Sequence, residues 1–117
     1  MNAQFKKGVL ELIVLLIINK EDAYGYSLVK KISRKITISE GTVYPILGRL
    51  VKEEYLTTYH QESTEGPFRK YYKITNSGID KLEKLKYEWN EFFLIINRFI
   101  EENEKLEQEQ FFGITQK

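Results

Sequence analysis

The sequence predicts a mainly α-helical fold with one small β-hairpin and a long C-terminal helix. Three observations lead there. Apolar residues recur at helical spacing in four stretches; the period changes over the Tyr- and Thr-rich segments 55–62 and 68–74; and the last helical stretch runs from about Ser77 to Glu107.

Composition narrows the class. A chain of 117 residues, 42% hydrophobic and 14% aromatic, has apolar surface for one compact domain, or one domain with an appended helix. It has no cysteine, which fits a reducing compartment and excludes disulfides and thiolate metal sites. The apolar run Val9 to Ile18 is interrupted by Glu11, lacks a small-residue cleavage site after it, and is shorter than the about 20 residues a bilayer requires. A soluble cytoplasmic protein with no membrane role is expected. The net charge is only +1, but it is unevenly spread. Residues 1–73 carry twelve cations and eight acids, whereas residues 74–117 carry six and nine. A basic front and an acidic back suit a body that meets phosphate at one end.

Phe5 to Asn19 reads as a first helix, apolar nearly all round, so it needs cover on more than one side. A second copy of the chain would supply it. Lys20 to Ala23 is a polar connector in which Asp22 is the expected N-cap of the second helix, Tyr24 to about Ile36. That helix sets Leu28, Val29, Ile32 and Ile36 against a face of Ser27, Lys30, Lys31 and Arg34. A tight turn follows, and a third helix ends near Glu53. Ser39 is the better N-cap because Ile38 and Val43 then take the staple positions, although Thr37 with Glu40 offers a capping box instead. Val43, Ile46, Leu47 and Leu50 form its core stripe; Gly41, Pro45, Gly48, Arg49 and Lys52 collect opposite, with Thr42 and Tyr44 on the flanks. A helix that packs with one side and offers small residues and cations on the other suits the major groove of DNA. Pro45 removes one helix hydrogen bond.

The segments 55–62 and 68–74 flank Ser63-Thr64-Glu65-Gly66-Pro67, a turn-forming tip, and so form a hairpin. Leu56, Tyr72 and Ile74 can face the helices, while Arg69 and Lys70 flank the tip and can reach a phosphate backbone. Thr75 to Gly78 opens the final helix. Along it Leu82, Leu85, Trp89, Phe92, Ile96, Phe99, Asn103 and Leu106 alternate at spacings of three and four, a heptad seam that calls for a partner helix.

Enzyme chemistry lacks its parts. His60 is the only histidine, aspartate occurs only at Asp22 and Asp80, and no Gly-rich phosphate loop is present. No catalytic residue, metal or cofactor is expected.

Helix, helix, turn, helix, hairpin and long helix make a winged helix-turn-helix followed by a dimerisation helix. The expected division is a DNA-binding domain at 1–75, with its helix 5–19 also in the dimer interface, a dimerisation helix at 76–108 and a loose tail at 109–117. At this point a resemblance becomes specific. YGYSLVKKI, ISEGTVYPILGRLVKEEYL and GPFRKYYKITNSG look like the signature segments of the PadR family of bacterial transcriptional regulators, in its small PadR-like subfamily. The likeness spans about Phe5 to Phe99; Gly41 to Pro45 and Arg69 to Tyr72 are its most diagnostic pieces.

The resemblance implies a homodimer that sets two third helices in successive major grooves of near-palindromic double-stranded DNA, about 34 Å apart. It implies DNA contacts from Ser39, Gly41, Thr42, Tyr44, Arg49 and Lys52, with Tyr24, Arg69 and Lys70 as candidates for phosphate. It also implies a ligand-responsive repressor, with Trp89, Phe92 and Phe93 lining a dimer-interface site for a small planar aromatic or cationic effector. The alternative from another class is a dimeric winged-helix interaction module without sequence-specific DNA binding of its own.

Overall fold

The computed structural model describes residues 3–63 and 66–115, with side chains at 7–39, 41–63 and 66–110. In chain order the elements are α1 (Ala3–Lys20), β1 (Ala23–Tyr24), α2 (Gly25–Lys35), α3 (Glu40–Lys52), β2 (Leu56–Ser63), β3 (Gly66–Ile74) and α4 (Asn76–Thr115). The chain forms two compact units, Met1–Lys84 and Leu85–Lys117.

The first unit is built on a three-helix core. Leu10, Val14, Leu15 and Ile18 of α1 are buried, as are Leu28, Val29 and Ile32 of α2 and Val43, Ile46, Leu47 and Leu50 of α3. On α2 and α3 these belong to the apolar stripes read from the sequence, of which Ile36 and Val51 are only half-buried. On α1 only one face is covered: Val9 and Leu12 remain half-buried and Leu16 is 40% exposed.

The sheet has the order β1-β3-β2, both pairings antiparallel. Its inner face carries buried Leu56 and Tyr72; its outer face carries Tyr59 opposite Tyr71, and Tyr71 opposite Tyr24. The hairpin of β2 and β3 is the one expected. Strand β1 is an addition to it, and it corrects the expected cap. Because Ala23 and Tyr24 pair with β3, helix α2 starts one residue later, and its N-cap is Tyr24 with no side-chain cap bond. Asp22 instead accepts a 2.7 Å hydrogen bond from the Tyr59 hydroxyl. Gly25 fits here because a Cβ would lie 3.1 Å from the ring of Tyr72.

Ser39 is the N-cap of α3, which settles the choice left by the sequence. Its hydroxyl bonds the Thr42 hydroxyl at 3.0 Å, and the backbone N–H of Thr42 donates to the Ser39 carbonyl at 3.0 Å. The helix continues through Pro45. It ends in a Schellman motif: Tyr55 N–H donates to the Leu50 carbonyl at 2.9 Å, Glu54 N–H to Val51 at 3.0 Å, and Glu54 has φ 66°.

That turn is clasped to the start of α4. The Thr75 and Ser77 hydroxyls both donate to the Glu54 carbonyl, at 2.6 and 2.9 Å, and Thr75 N–H donates to Tyr55 at 3.1 Å. Thr75 is also the cap, its oxygen accepting from Gly78 N–H at 3.0 Å. Gly78 is packed so tightly that a Cβ would strike the Tyr55 carbonyl oxygen and come within 2.7 Å of Ile74 Cγ1.

Helix α4 runs to Thr115, past the end expected at 108 and through most of the stretch expected as a tail at 109–117. From Glu101 to Gln110 the sequence is mostly Glu, Gln, Lys and Leu, strong helix formers that carry the helix past 108. Among the described residues, no helix is long and apolar enough to cross a membrane.

Candidate nucleic-acid interface

Helix α3 divides as the wheel predicts, with one exception. Ser39, Gly41, Tyr44, Pro45, Gly48 and Lys52 are exposed and Thr42 is half-buried, above a core stripe with no residue more than 4% accessible. Tyr44, whose place on the wheel borders the core, is 42% exposed and so belongs to the outer face. Gly41 and Gly48 leave that face low: a Cβ on Gly48 would meet nothing within 4 Å, and one on Gly41 only the Ser39 hydroxyl at 3.9 Å. The space is there, and the sequence leaves it empty. A surface without side chains lets a helix backbone approach a groove floor closely.

Arg49 is the exception. Its guanidinium forms an ion pair with Glu11 of α1, and its Nε and Nη2 atoms are shut off from solvent. The residue expected to supply charge beside Lys52 is turned towards α1.

The wing carries the other expected cations. Arg69 and Lys70 are exposed and stand opposite Gln61 and His60 in the hairpin. Arg69 sits 5.0 Å above the ring of Tyr24, so these two expected phosphate ligands are brought together on the outer sheet face. Lys70 lies over Tyr72, at 5.6 Å. Tyr24 continues into a run of rings, with Tyr71 at 5.8 Å and Tyr26 at 6.1 Å, and Tyr59 stacks on Tyr71 at 5.5 Å. Its hydrogen bond to the Asp22 carboxylate holds the Tyr59 phenol above the ordinary tyrosine value, with desolvation and the Asp22 charge adding to the effect. Burial does the same for Tyr72.

Each unit also carries an apolar surface. A groove of about 660 Å³ runs between α1 and α2, its walls including Ile13, Leu16, Leu28 and Ile32, with Lys31 and Lys35 also lining it. On α4, Phe92, Phe93, Ile95, Phe99, Ile100 and Leu106 are each about half exposed or more. Trp89 packs on Phe93 at 5.4 Å and meets Phe92 edge-on at 6.0 Å, an aromatic cluster at helical spacing.

Residues 14–84, more than half of the chain, match the transcriptional regulator PadR-like family. The chain belongs to that family. An uncharacterised protein of Lysinibacillus sphaericus is 37% identical over 99 residues, covering 81% of this chain and 91% of that protein. The transcriptional regulator YqjI of Escherichia coli (strain K12) is 31% identical over 84 residues, 68% of this chain but 39% of its own length. Among solved structures, a PadR-like transcriptional regulator from Bacillus cereus is 39% identical, with a TM-score of 0.74 over 83% of this chain and 96% of that one. A protein of Streptococcus mutans is 40% identical, with a TM-score of 0.75 over 81% and 89%.

This PadR-like chain is thus a DNA-binding transcriptional regulator, and its family is not one of enzymes. Tyr71 and Tyr26 beside Tyr24, and Tyr59 beyond Tyr71, are not among the residues expected from the sequence. The signal was present in the period-two spacing of Arg69 and Tyr71, which puts both on one sheet face with Tyr59 across from them.

Proposed function

We propose that this regulator acts as a ligand-responsive repressor, binding a near-palindromic operator as a homodimer. The observation that carries the DNA-reading part is the outer face of α3, where Ser39, Gly41, Thr42, Tyr44 and Lys52 form a low, polar, basic surface over a closed apolar core. Tyr24, Arg69 and Lys70 supply phosphate contacts from the outer sheet and wing. Homodimerisation is supported by apolar surface that one copy leaves uncovered: Leu16 on α1, and Phe92, Phe93, Phe99 and Leu106 on α4. The effector is a small planar aromatic or cationic molecule held by Trp89, Phe92 and Phe93, with Glu88 and Glu91 close in sequence to balance a positive charge.

A gel shift of the chain's own promoter against random duplexes tests the operator. Binding should be tighter to the promoter and fall steeply with salt. No shift at low salt with either DNA would leave only the interaction module. Sedimentation should give a dimer, and Phe99→Glu with Leu106→Glu a monomer; a wild-type monomer at micromolar concentration refutes the dimer. Titration of Trp89 fluorescence with planar aromatic and cationic compounds should show quenching, followed by release of DNA. A varied panel without quenching removes the effector site.

A further inference from the structure

Among the described residues, the Glu11–Arg49 ion pair joins α1 to α3, and phosphate binding leaves it unexplained. On its inner side the pair borders the apolar core, with Leu10 and Val14 of α1 and Ile46, Leu47 and Leu50 of α3 all at most 4% accessible, while Lys7, Lys52 and Glu53 stand exposed one turn away on its outer side. The two side chains are themselves only 20% and 31% accessible. Desolvating two charges in such a place contributes little to stability, and apolar residues of similar volume serve as well or better. What an ion pair adds is direction. Apolar stripes tolerate small rotations of one helix on another, whereas a guanidinium held against a carboxylate favours the setting that keeps the two charges together. The setting in question is that of α3, whose outer face carries Gly41, Thr42 and Lys52.

We infer that Arg49 is a positioning residue: its pair with Glu11 sets the rotation at which α3 meets DNA, and it does not itself hold a phosphate. Helix α1 is thereby the part of the body that α3 is aligned to. The inference rests on DNA binding by α3.

The sign of one measurement separates the possibilities. Glu11 is an acid, so removing its charge strengthens attraction to DNA if electrostatics alone matters. The probe is the duplex that wild type selects from a randomised pool, with dissociation constants measured over a salt series well below the melting temperature. Glu11→Gln and Arg49→Gln should each weaken binding at least about fivefold, the size of an ordinary coupling between sites. The double variant should be no worse than either single, and the salt slope should match wild type in all three. A slope smaller by about one in Arg49→Gln, with Glu11→Gln binding as well as wild type, makes Arg49 a phosphate ligand and overturns the inference. Lower melting temperatures with affinities within about twofold of wild type overturn it too, leaving a purely structural pair. Should the single variants not fold, Glu11→Leu with Arg49→Met keeps the packing and loses the alignment. It should fold and bind at least about fivefold more weakly; binding equal to wild type refutes the role. If wild type selects no duplex, DNA reading by α3 falls, and the positioning role falls with it.

Discussion

Gly78→Ala in the first turn of α4 should destabilise this protein, although the same change in an ordinary exposed helix stabilises it. Propensity alone favours alanine by about 1 kcal/mol. The new methyl group, however, would strike the Tyr55 carbonyl oxygen and approach Ile74 Cγ1 to 2.7 Å. The first obstacle is backbone and does not swing aside. Relief requires the start of α4 to back away from the α3 turn, which strains the bonds from Thr75 and Ser77 to Glu54 and from Thr75 to Tyr55. Three such bonds are worth about 1 kcal/mol each, and overpacking costs about 1–3 kcal/mol. If all three are lost, about 3–5 kcal/mol remains after subtracting the propensity gain, a fall of roughly 15 °C in melting temperature for a chain of this size. Thermal and urea melts followed by circular dichroism, at one fixed protein concentration, measure it. A variant as stable as wild type, or more so, would show that the clasp is looser than described and refute the argument.

Three further outcomes are expected. Glu54 holds φ 66°, a conformation that costs a non-glycine residue roughly 1–2 kcal/mol, so Glu54→Gly should raise stability by about 1 kcal/mol in a urea melt. Gly41→Ala and Gly48→Ala meet no crowded atom and should gain about 0.5–1 kcal/mol of stability while weakening operator binding; unchanged binding would take those positions out of the DNA-facing surface. Tyr59 is held above the ordinary tyrosine value by its bond to Asp22, so its stabilising contribution is complete below pH about 10 and is lost as pH rises through the folded value. An ultraviolet titration should show late ionisation of Tyr59 and Tyr72, and Asp22→Asn should return only one of the two to the ordinary range.

Periodicity exposed the core stripes of α2 and α3 because each helix buries one side only, and the tyrosine-rich segments around a Gly-Pro tip exposed the hairpin. Strand β1 escaped because two residues carry no pattern; Ala23 and Tyr24 are strand only by virtue of β3 beside them. Asp22 looked like a cap for the same reason, since its actual partner Tyr59 is 37 positions away. Arg49 differs for another reason. A helical wheel locates Cα atoms, and a long side chain read on the outer face of α3 can still turn back to α1. The end of α4 was obscured by its acids, which read as fraying but are also good helix formers.

The shortness of β1 has a consequence for the wing. It pairs with β3 only at Tyr71 and Tyr72, so among the described residues the flank of β3 from Gly66 to Lys70 that faces away from β2 is a strand edge with no strand beside it. Phe68, 63% exposed, stands on that segment, and such an edge invites the same edge of another molecule. Pro67 interrupts the row of donors, and the like charges of Arg69 and Lys70 keep two wings apart. The same two cations therefore protect solubility as well as attract phosphate. Alanine at both positions removes the two effects together, and a loss of DNA binding could then reflect clumped protein. Glutamate at both reverses the pull on phosphate while restoring repulsion between wings, so a Glu pair that stays monodisperse in light scattering isolates the DNA contribution.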